Sequence, residues 1–133
     1  MGAALQEQWL TKWAVTADKV AEAVARIIAA GNPERILAYG SRARGDFSND
    51  SDLDLAVILD RIDPNEPVPV RSSVFRGIPL DIDLLVTDRI QHDRFKGARG
   101  SVHFDIEKDG IVIYDRSRDA GANPDALEKI GVR

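Results

Sequence analysis

The chain has 133 residues and a net charge of −4, so it is long enough to bury a core and too acidic to coat nucleic acid. Cysteine is absent, which excludes disulfides and thiolate metal sites, and two histidines are too few for an ordinary zinc site. No apolar stretch has the length of a membrane span, and the N-terminus lacks the pattern of a signal peptide. We therefore expect a single cytoplasmic domain without membrane or direct nucleic-acid contacts.

The first predicted element is a helix from about Leu5 to Ala30. Apolar residues recur at helical spacing from Val20 to Ile28, with charged residues between them. Thr16 could instead begin a second helix, so the sequence leaves open one long helix or two. Gly31-Asn32-Pro33 ends the helix, because residues that tolerate the left-handed conformation precede one that cannot continue it.

Three strands are predicted next. The apolar runs from Arg35 to Tyr39 and from Leu53 to Leu59 are typical of buried strands, and the Gly40-Ser41 turn between them predicts a tight strand-to-helix corner. The proline-containing segment from Asp60 to Pro69 predicts a loop. From Pro79 to Val86, apolar residues alternate with acidic ones, which predicts the third strand.

The last part of the chain is predicted to contain two short helices and a strand. Asp88 and Ser101 are suitable N-caps for the helices, and Ile111 to Tyr114 reads as a fourth strand. We expect a core of about residues 15–115 and a polar tail at 116–133 with one helical turn. The predicted fold class is α/β (α+β), a mixed sheet of about four strands with flanking helices on one side.

The acidic residues carry the candidate chemistry. Asp52 and Asp54 lie two apart at the head of the second strand, so they share one face. Adjacent carboxylates repel each other, and a divalent cation would relieve that repulsion. Asp81 or Asp83 on the third strand would complete a set of oxygen ligands, which Mg²⁺ prefers.

A calcium loop is the competing metal interpretation, because Asp50, Asp52 and Asp54 alternate as they do at the start of an EF-hand. That loop needs glycine at its sixth position and glutamate at its twelfth, where this chain has Leu55 and Arg61. The calcium interpretation is therefore rejected.

The turn before the aspartates suits a phosphate group. Gly40 lets the backbone approach an anion closely, and Ser41 offers a hydroxyl and an amide. Arg42 and Arg44 follow and are expected to reach the same polyphosphate, Arg44 being the stronger candidate. His92 and His103 stand in no motif, and we expect them at the surface or at helix ends.

The segment Gly40-Ser41-x-x-Arg44-Gly45 followed by Ser51-Asp52-x-Asp54-Leu55 resembles the signature of the nucleotidyltransferase superfamily that includes DNA polymerase beta. The short spacing between the two parts is most similar to the minimal nucleotidyltransferases, the MNT domains. The resemblance covers roughly residues 15–115 and is specific at residues 40–57.

This resemblance implies a polymerase-beta-like fold and an Mg²⁺-dependent transfer of a nucleoside monophosphate, AMP from ATP, to a hydroxyl group. Asp52, Asp54 and a third acid would bind two Mg²⁺ ions. Asp83 is preferred over Asp81 as the third acid, because it stands directly before the apolar Leu84-Leu85-Val86 run as in the family. Gly40, Ser41 and Arg44 would bind the triphosphate.

The resemblance also implies a partner. Many MNT proteins act as antitoxins against a helical HEPN toxin, some by transferring AMP to a tyrosine of that toxin. Association of this chain with copies of itself is also left open. One alternative is an antitoxin that neutralises its partner by contact, without catalysis. Another is a transferase for a small hydroxylated molecule, against which the lack of a second, substrate-binding domain in this sequence counts.

Overall fold

The computed structural model describes residues 12–47 and 52–132. Its elements are, in order, helix α1 (Ala17–Gly31), strand β1 (Arg35–Tyr39), helix α2 (Gly40–Arg44), strand β2 (Leu53–Leu59), a 3₁₀ helix (Ser72–Phe75), strand β3 (Ile82–Asp88), helices α3 (Arg89–Phe95) and α4 (Val102–Asp109), strand β4 (Ile111–Asp115) and helix α5 (Pro124–Lys129). The predicted fold class, a mixed sheet of four strands with flanking helices, is confirmed.

Helix α1 begins at Ala17, because the Thr16 side chain caps it by accepting a hydrogen bond from the Lys19 amide at 3.5 Å. One uninterrupted helix from Leu5 to Ala30 is therefore wrong, although the start of that prediction lies outside the described residues. The helix ends at Asn32, which adopts the left-handed conformation (φ +44°) as predicted.

The sheet has the strand order β3-β2-β1-β4. Strand β1 pairs antiparallel with β2 and β4, whereas β2 and β3 are parallel. Strand β2 is central, and every residue of it except Asp54 is buried.

Helices cover both faces of the sheet, so the expectation that they lie on one side is wrong. On one face, Leu55 packs in the same apolar cluster as Val24 of α1. On the other face, Ala56 and Ile58 pack with Ile106 of α4. The side chains alternate because successive residues of a strand point to opposite faces.

Strand β3 lies further along the chain than the predicted Pro79–Val86. Proline has no amide to donate, and the amide of Leu80 bonds back to the Ile78 carbonyl at 2.8 Å, so neither residue joins the ladder. The pairing begins where the amide of Leu53 donates to the Asp81 carbonyl at 3.1 Å. The strand then runs to Asp88, whose side chain caps α3 as predicted.

The C-terminal segment differs from the polar tail expected there. Asn123 caps α5, and Leu127, Ile130 and Val132 are buried in the main core. These apolar residues pack in the same cluster as Val20 and Val24 of α1.

Helices α3 and α4 are joined by a buried histidine. His92, which was expected at the surface or at a helix end, lies in the last turn of α3 but is only 1% exposed. Its Nε2 donates to Glu107 Oε2 at 2.8 Å. Its Nδ1 lies 3.2 Å from Nδ1 of His103, so one of these two nitrogens donates to the other. The predicted cap of α4 is confirmed, because Ser101 Oγ accepts from the Phe104 amide at 3.1 Å. Within residues 12–47 and 52–132, no helix has the length and apolarity needed to cross a membrane.

Candidate active site

The segment that joins β1 to β2 begins with a strand-to-helix turn that has a glycine at each end. Gly40 has φ +71° at the start of α2, and Gly45 has φ +84° at its end, where its amide donates to the Ser41 carbonyl at 2.9 Å. A Cβ atom on Gly40 would overlap Oδ2 of Asp54 and lie 3.2 Å from its carboxyl carbon. The glycine therefore allows a carboxylate of β2 to lie directly against the backbone before Ser41.

Two carboxyl groups lie side by side on the sheet face that α4 covers in part. The parallel register aligns Asp54 of β2 with Asp83 of β3, and the two side chains lie close enough for the charge of Asp83 to act on Asp54. Burial raises the pKa of Asp54 above its ordinary value, and the charges of Asp83 and Asp52 raise it further. Arg44 opposes this shift by lowering the pKa of Asp54. Asp54 is thus the electrostatic centre of the acidic group.

The other two predicted acids lie at the entry to the strands. Asp52 and Asp81 each precede a strand by one residue, and both are exposed. Since the strands pair one to one, the same register would set Asp52 beside Asp81. The structure thus brings Asp83, and not Asp81, into alignment with Asp54.

Tyr39 lies beside the same acidic residues, although in the sequence it is marked only as the end of the first predicted strand. Register aligns it with Asp54, and the residue is half-buried. Burial, together with the charges of Asp83 and Asp54, raises the pKa of its phenol to about 12. The signal in the sequence was its position at the end of β1, directly before Gly40, in a strand that had to pair with the one carrying Asp54.

The two arginines of α2 point in different directions. Arg42 is 2% exposed, its guanidinium lies 4.7 Å from the centre of the Phe47 ring, and its Nη1 donates to the Ile130 carbonyl at 3.4 Å. The expectation that Arg42 reaches a polyphosphate is therefore wrong. Arg44 is exposed, and its Nε lies 3.4 Å from Oδ2 of Asp46. It is the arginine of α2 that acts on Asp54.

The acidic group has the chemistry of a magnesium site. Asp54 and Asp83 supply hard oxygen donors whose mutual repulsion a divalent cation would relieve. In the described part of the chain, no three acidic or histidine side chains converge tightly enough to enclose an ion. The residues fit the cation as an adjacent pair, with Asp52 exposed at the entry.

The fold and this site define a domain of the nucleotidyltransferase type. The family model described as Polymerase beta, Nucleotidyltransferase matches residues 22–119, more than half of the chain. The chain belongs to this family.

A solved structure supports the fold independently. A protein from Sulfolobus solfataricus that has been assigned as a nucleotidyltransferase superposes with a TM-score of 0.55 at 24% identity, over 80% of this chain and 85% of that one. At this identity the likeness shows the polymerase-beta-like fold alone. No curated protein shows significant similarity to this chain.

Proposed function

We propose that this protein is an Mg²⁺-dependent nucleotidyltransferase that transfers AMP from ATP to a hydroxyl group, the acceptor being a tyrosine of a helical HEPN-type toxin. The proposal rests above all on one observation. The Asp54 carboxylate lies between the Asp83 carboxylate and the backbone of Gly40. The acid pair and the turn that would bind phosphate are therefore in contact, as the attack of a hydroxyl group on an α-phosphate requires.

Each predicted residue has a role in this proposal. Asp54 and Asp83, joined by Asp52 when its exposed side chain turns inward, would hold the cations. A divalent cation supplies Lewis-acid stabilisation of charge on the phosphate oxygens and on the leaving group. The Ser41 amide and hydroxyl would bind the triphosphate behind Gly40, and Arg44 would neutralise part of its charge.

The proposed transfer forms one bond and breaks one bond at the α-phosphorus. The acceptor oxygen forms a bond to the α-phosphorus, the bond from that phosphorus to the bridging oxygen breaks, and pyrophosphate leaves with the electron pair. Asp83 would accept the proton of the acceptor hydroxyl, because it borders Asp54 and is itself exposed toward an incoming group.

The proposed partner would contact a surface on α3 and α4, and α3 begins at the end of β3 opposite Asp83. Three large apolar side chains on α3 and α4 are exposed: Ile90 (61%), Phe95 (41%) and Val102 (37%). Large apolar side chains exposed on neighbouring helices suit contact with another protein. Placement of the pair in the cytoplasm is part of the same proposal.

A second candidate is an antitoxin that binds the same partner and neutralises it by contact. The observation that favours it is that no three acidic or histidine side chains of the described residues converge to enclose an ion. An Asp54→Asn variant that still neutralises the partner would support this candidate.

Labelling with α-³²P-ATP and Mg²⁺ tests the catalytic proposal. The protein is incubated with lysate of its own source, and labelled proteins are separated on a gel and identified by mass spectrometry. Asp54→Asn and Asp83→Asn should abolish the label. Asp81→Asn, an exposed acid on the same stretch of chain outside the aligned pair, is the matched control and should keep it.

Two outcomes would contradict the proposal. Label that persists in Asp54→Asn would exclude the assigned site, and label that disappears equally in Asp81→Asn would exclude the distinction between Asp81 and Asp83. Label from γ-³²P-ATP in place of α-³²P-ATP would indicate phosphoryl transfer, a different reaction.

A further inference from the structure

Three polar side chains form one row across three strands at the active-site end of the sheet. The register aligns Tyr39 of β1 with Asp54 of β2, and Asp54 with Asp83 of β3. Side chains at aligned positions of neighbouring strands project from the same face. The phenol of Tyr39 therefore shares one surface with both carboxylates, one residue before Gly40.

The ring of Tyr39 is held by apolar packing, and its hydroxyl makes no hydrogen bond to another described residue in the structure. The ring contacts the apolar cluster of this sheet face, which contains Leu37, Ala56, Ile58 and Ile106. A half-buried hydroxyl gains free energy from a hydrogen-bond partner, and a phenol can donate one. Ionised carboxylates only accept, so the partner chemistry matches.

A neutral phenol can donate a hydrogen bond and adds no negative charge to the row. Groups that hydrogen-bond to metal-binding carboxylates orient them, and losing such a group weakens metal binding about 10–100-fold.

We propose that Tyr39 is a positioning residue of the nucleotidyl-transfer site: when the site holds a divalent cation, the Tyr39 hydroxyl donates a hydrogen bond to the Asp54–Asp83 pair and thereby fixes which carboxylate oxygens face the cation. This inference rests on the proposed function for the presence of the cation. It gives the residue before the Gly-Ser turn a role at the metal site in addition to the packing of its ring.

Phenylalanine at position 39 tests the inference, because it keeps the ring and removes the hydroxyl alone. The matched control is Tyr114→Phe, since Tyr114 lies on the neighbouring strand β4, is 4% exposed and packs in the opposite cluster. Mn²⁺ binding is measured by electron paramagnetic resonance, and AMP transfer is measured against Mg²⁺ concentration. Thermal unfolding checks that each variant is folded.

Tyr39→Phe should raise the Kd for Mn²⁺ and the half-saturating Mg²⁺ concentration about tenfold, while kcat at saturating Mg²⁺ stays within about threefold of wild type. Tyr114→Phe should leave both metal constants unchanged. A merely structural role of Tyr39 would alter the unfolding temperature and leave the metal constants alone.

Two results would overturn the inference, and they are distinguishable. If wild type binds Mn²⁺ through Asp54 and Tyr39→Phe binds it equally well, Tyr39 has no positioning role although the site stands. If wild type binds no Mn²⁺, or if Asp54→Asn binds it as tightly as wild type, the proposed metal site fails together with the inference.

Discussion

Replacement of Gly40 by alanine is the sharpest test of how the site is built. The added Cβ overlaps Oδ2 of Asp54, and the backbone at this position has φ +71°. Two separate costs follow. The residue is strained in a conformation that side chains disfavour, and the carboxylate has to move away from the turn.

The two costs have different sizes and different readouts. Left-handed backbone at a residue other than glycine costs about 1–2 kcal/mol. For a domain of this size, that free energy lowers the unfolding temperature by about 3–10 °C. Oδ2 of Asp54 has to move by about 1 Å to restore ordinary contact with the new methyl group. A displacement of this size at a reacting group lowers the rate about 100-fold.

Gly77→Ala separates the two effects. Gly77 has φ +87°, and a Cβ there meets no atom within 4 Å, so the variant carries the backbone cost without the contact. Both variants should unfold at similarly lowered temperatures in a thermal melt. Only Gly40→Ala should lose AMP transfer and Mn²⁺ binding. If Gly40→Ala transfers AMP at a rate within about twofold of that of Gly77→Ala, the close approach of Asp54 to the turn does not contribute to catalysis.

Three further predictions concern charge. Folding raises the pKa of Asp54, so wild type loses stability as the pH rises through that pKa. The melting temperature of Asp54→Asn should therefore be higher than that of wild type at pH 7 and equal to it below about pH 4. A lower melting temperature of the variant at pH 7 would contradict this prediction. The hydrogen bond from the buried His92 lowers the pKa of Glu107. Glu107→Gln should therefore lower the free energy of unfolding in urea by about 1 kcal/mol at pH 7, and this difference should vanish as the pH falls through the pKa of the folded state. A difference that stays constant with pH would exclude this cause. Arg42→Ala should lower the free energy of unfolding by about 3 kcal/mol, because Arg42 is buried. Arg44→Ala should change the free energy of unfolding by less than about 0.5 kcal/mol and raise the KM for ATP about tenfold, because Arg44 is exposed. A larger loss of stability in Arg44→Ala than in Arg42→Ala would contradict the assignment of the two residues.

Local patterns in the sequence were sufficient for the central strands and the caps. Strands β1 and β2 have the predicted bounds, because each is a continuous apolar run that ends at a residue of clear local preference. The caps at Asp88 and Ser101 were predictable for the same reason, since a cap depends on hydrogen bonds a few residues away.

Other features depend on partners that are distant in sequence. The start of β3 is set by the amide of Leu53, which alternation within the third strand cannot reveal. The direction of Arg42 depends on Phe47 and on the Ile130 carbonyl, so its spacing from Gly40 carried no information about it. Spacing put Asp52 and Asp54 on one face, but only the register between strands aligns Tyr39, Asp54 and Asp83.

The parallel pairing of β2 and β3 has a consequence for the kinetics of folding. Strands β1 and β2 are joined by a short connection and can pair early, whereas β3 joins after the long segment that follows Leu59. We therefore expect Asp83 to meet Asp54 in a late step, against the repulsion of the two carboxylates. A bound divalent cation would relieve that repulsion only after β3 has docked. We therefore expect Mg²⁺ to slow unfolding of the protein and to leave its folding rate nearly unchanged.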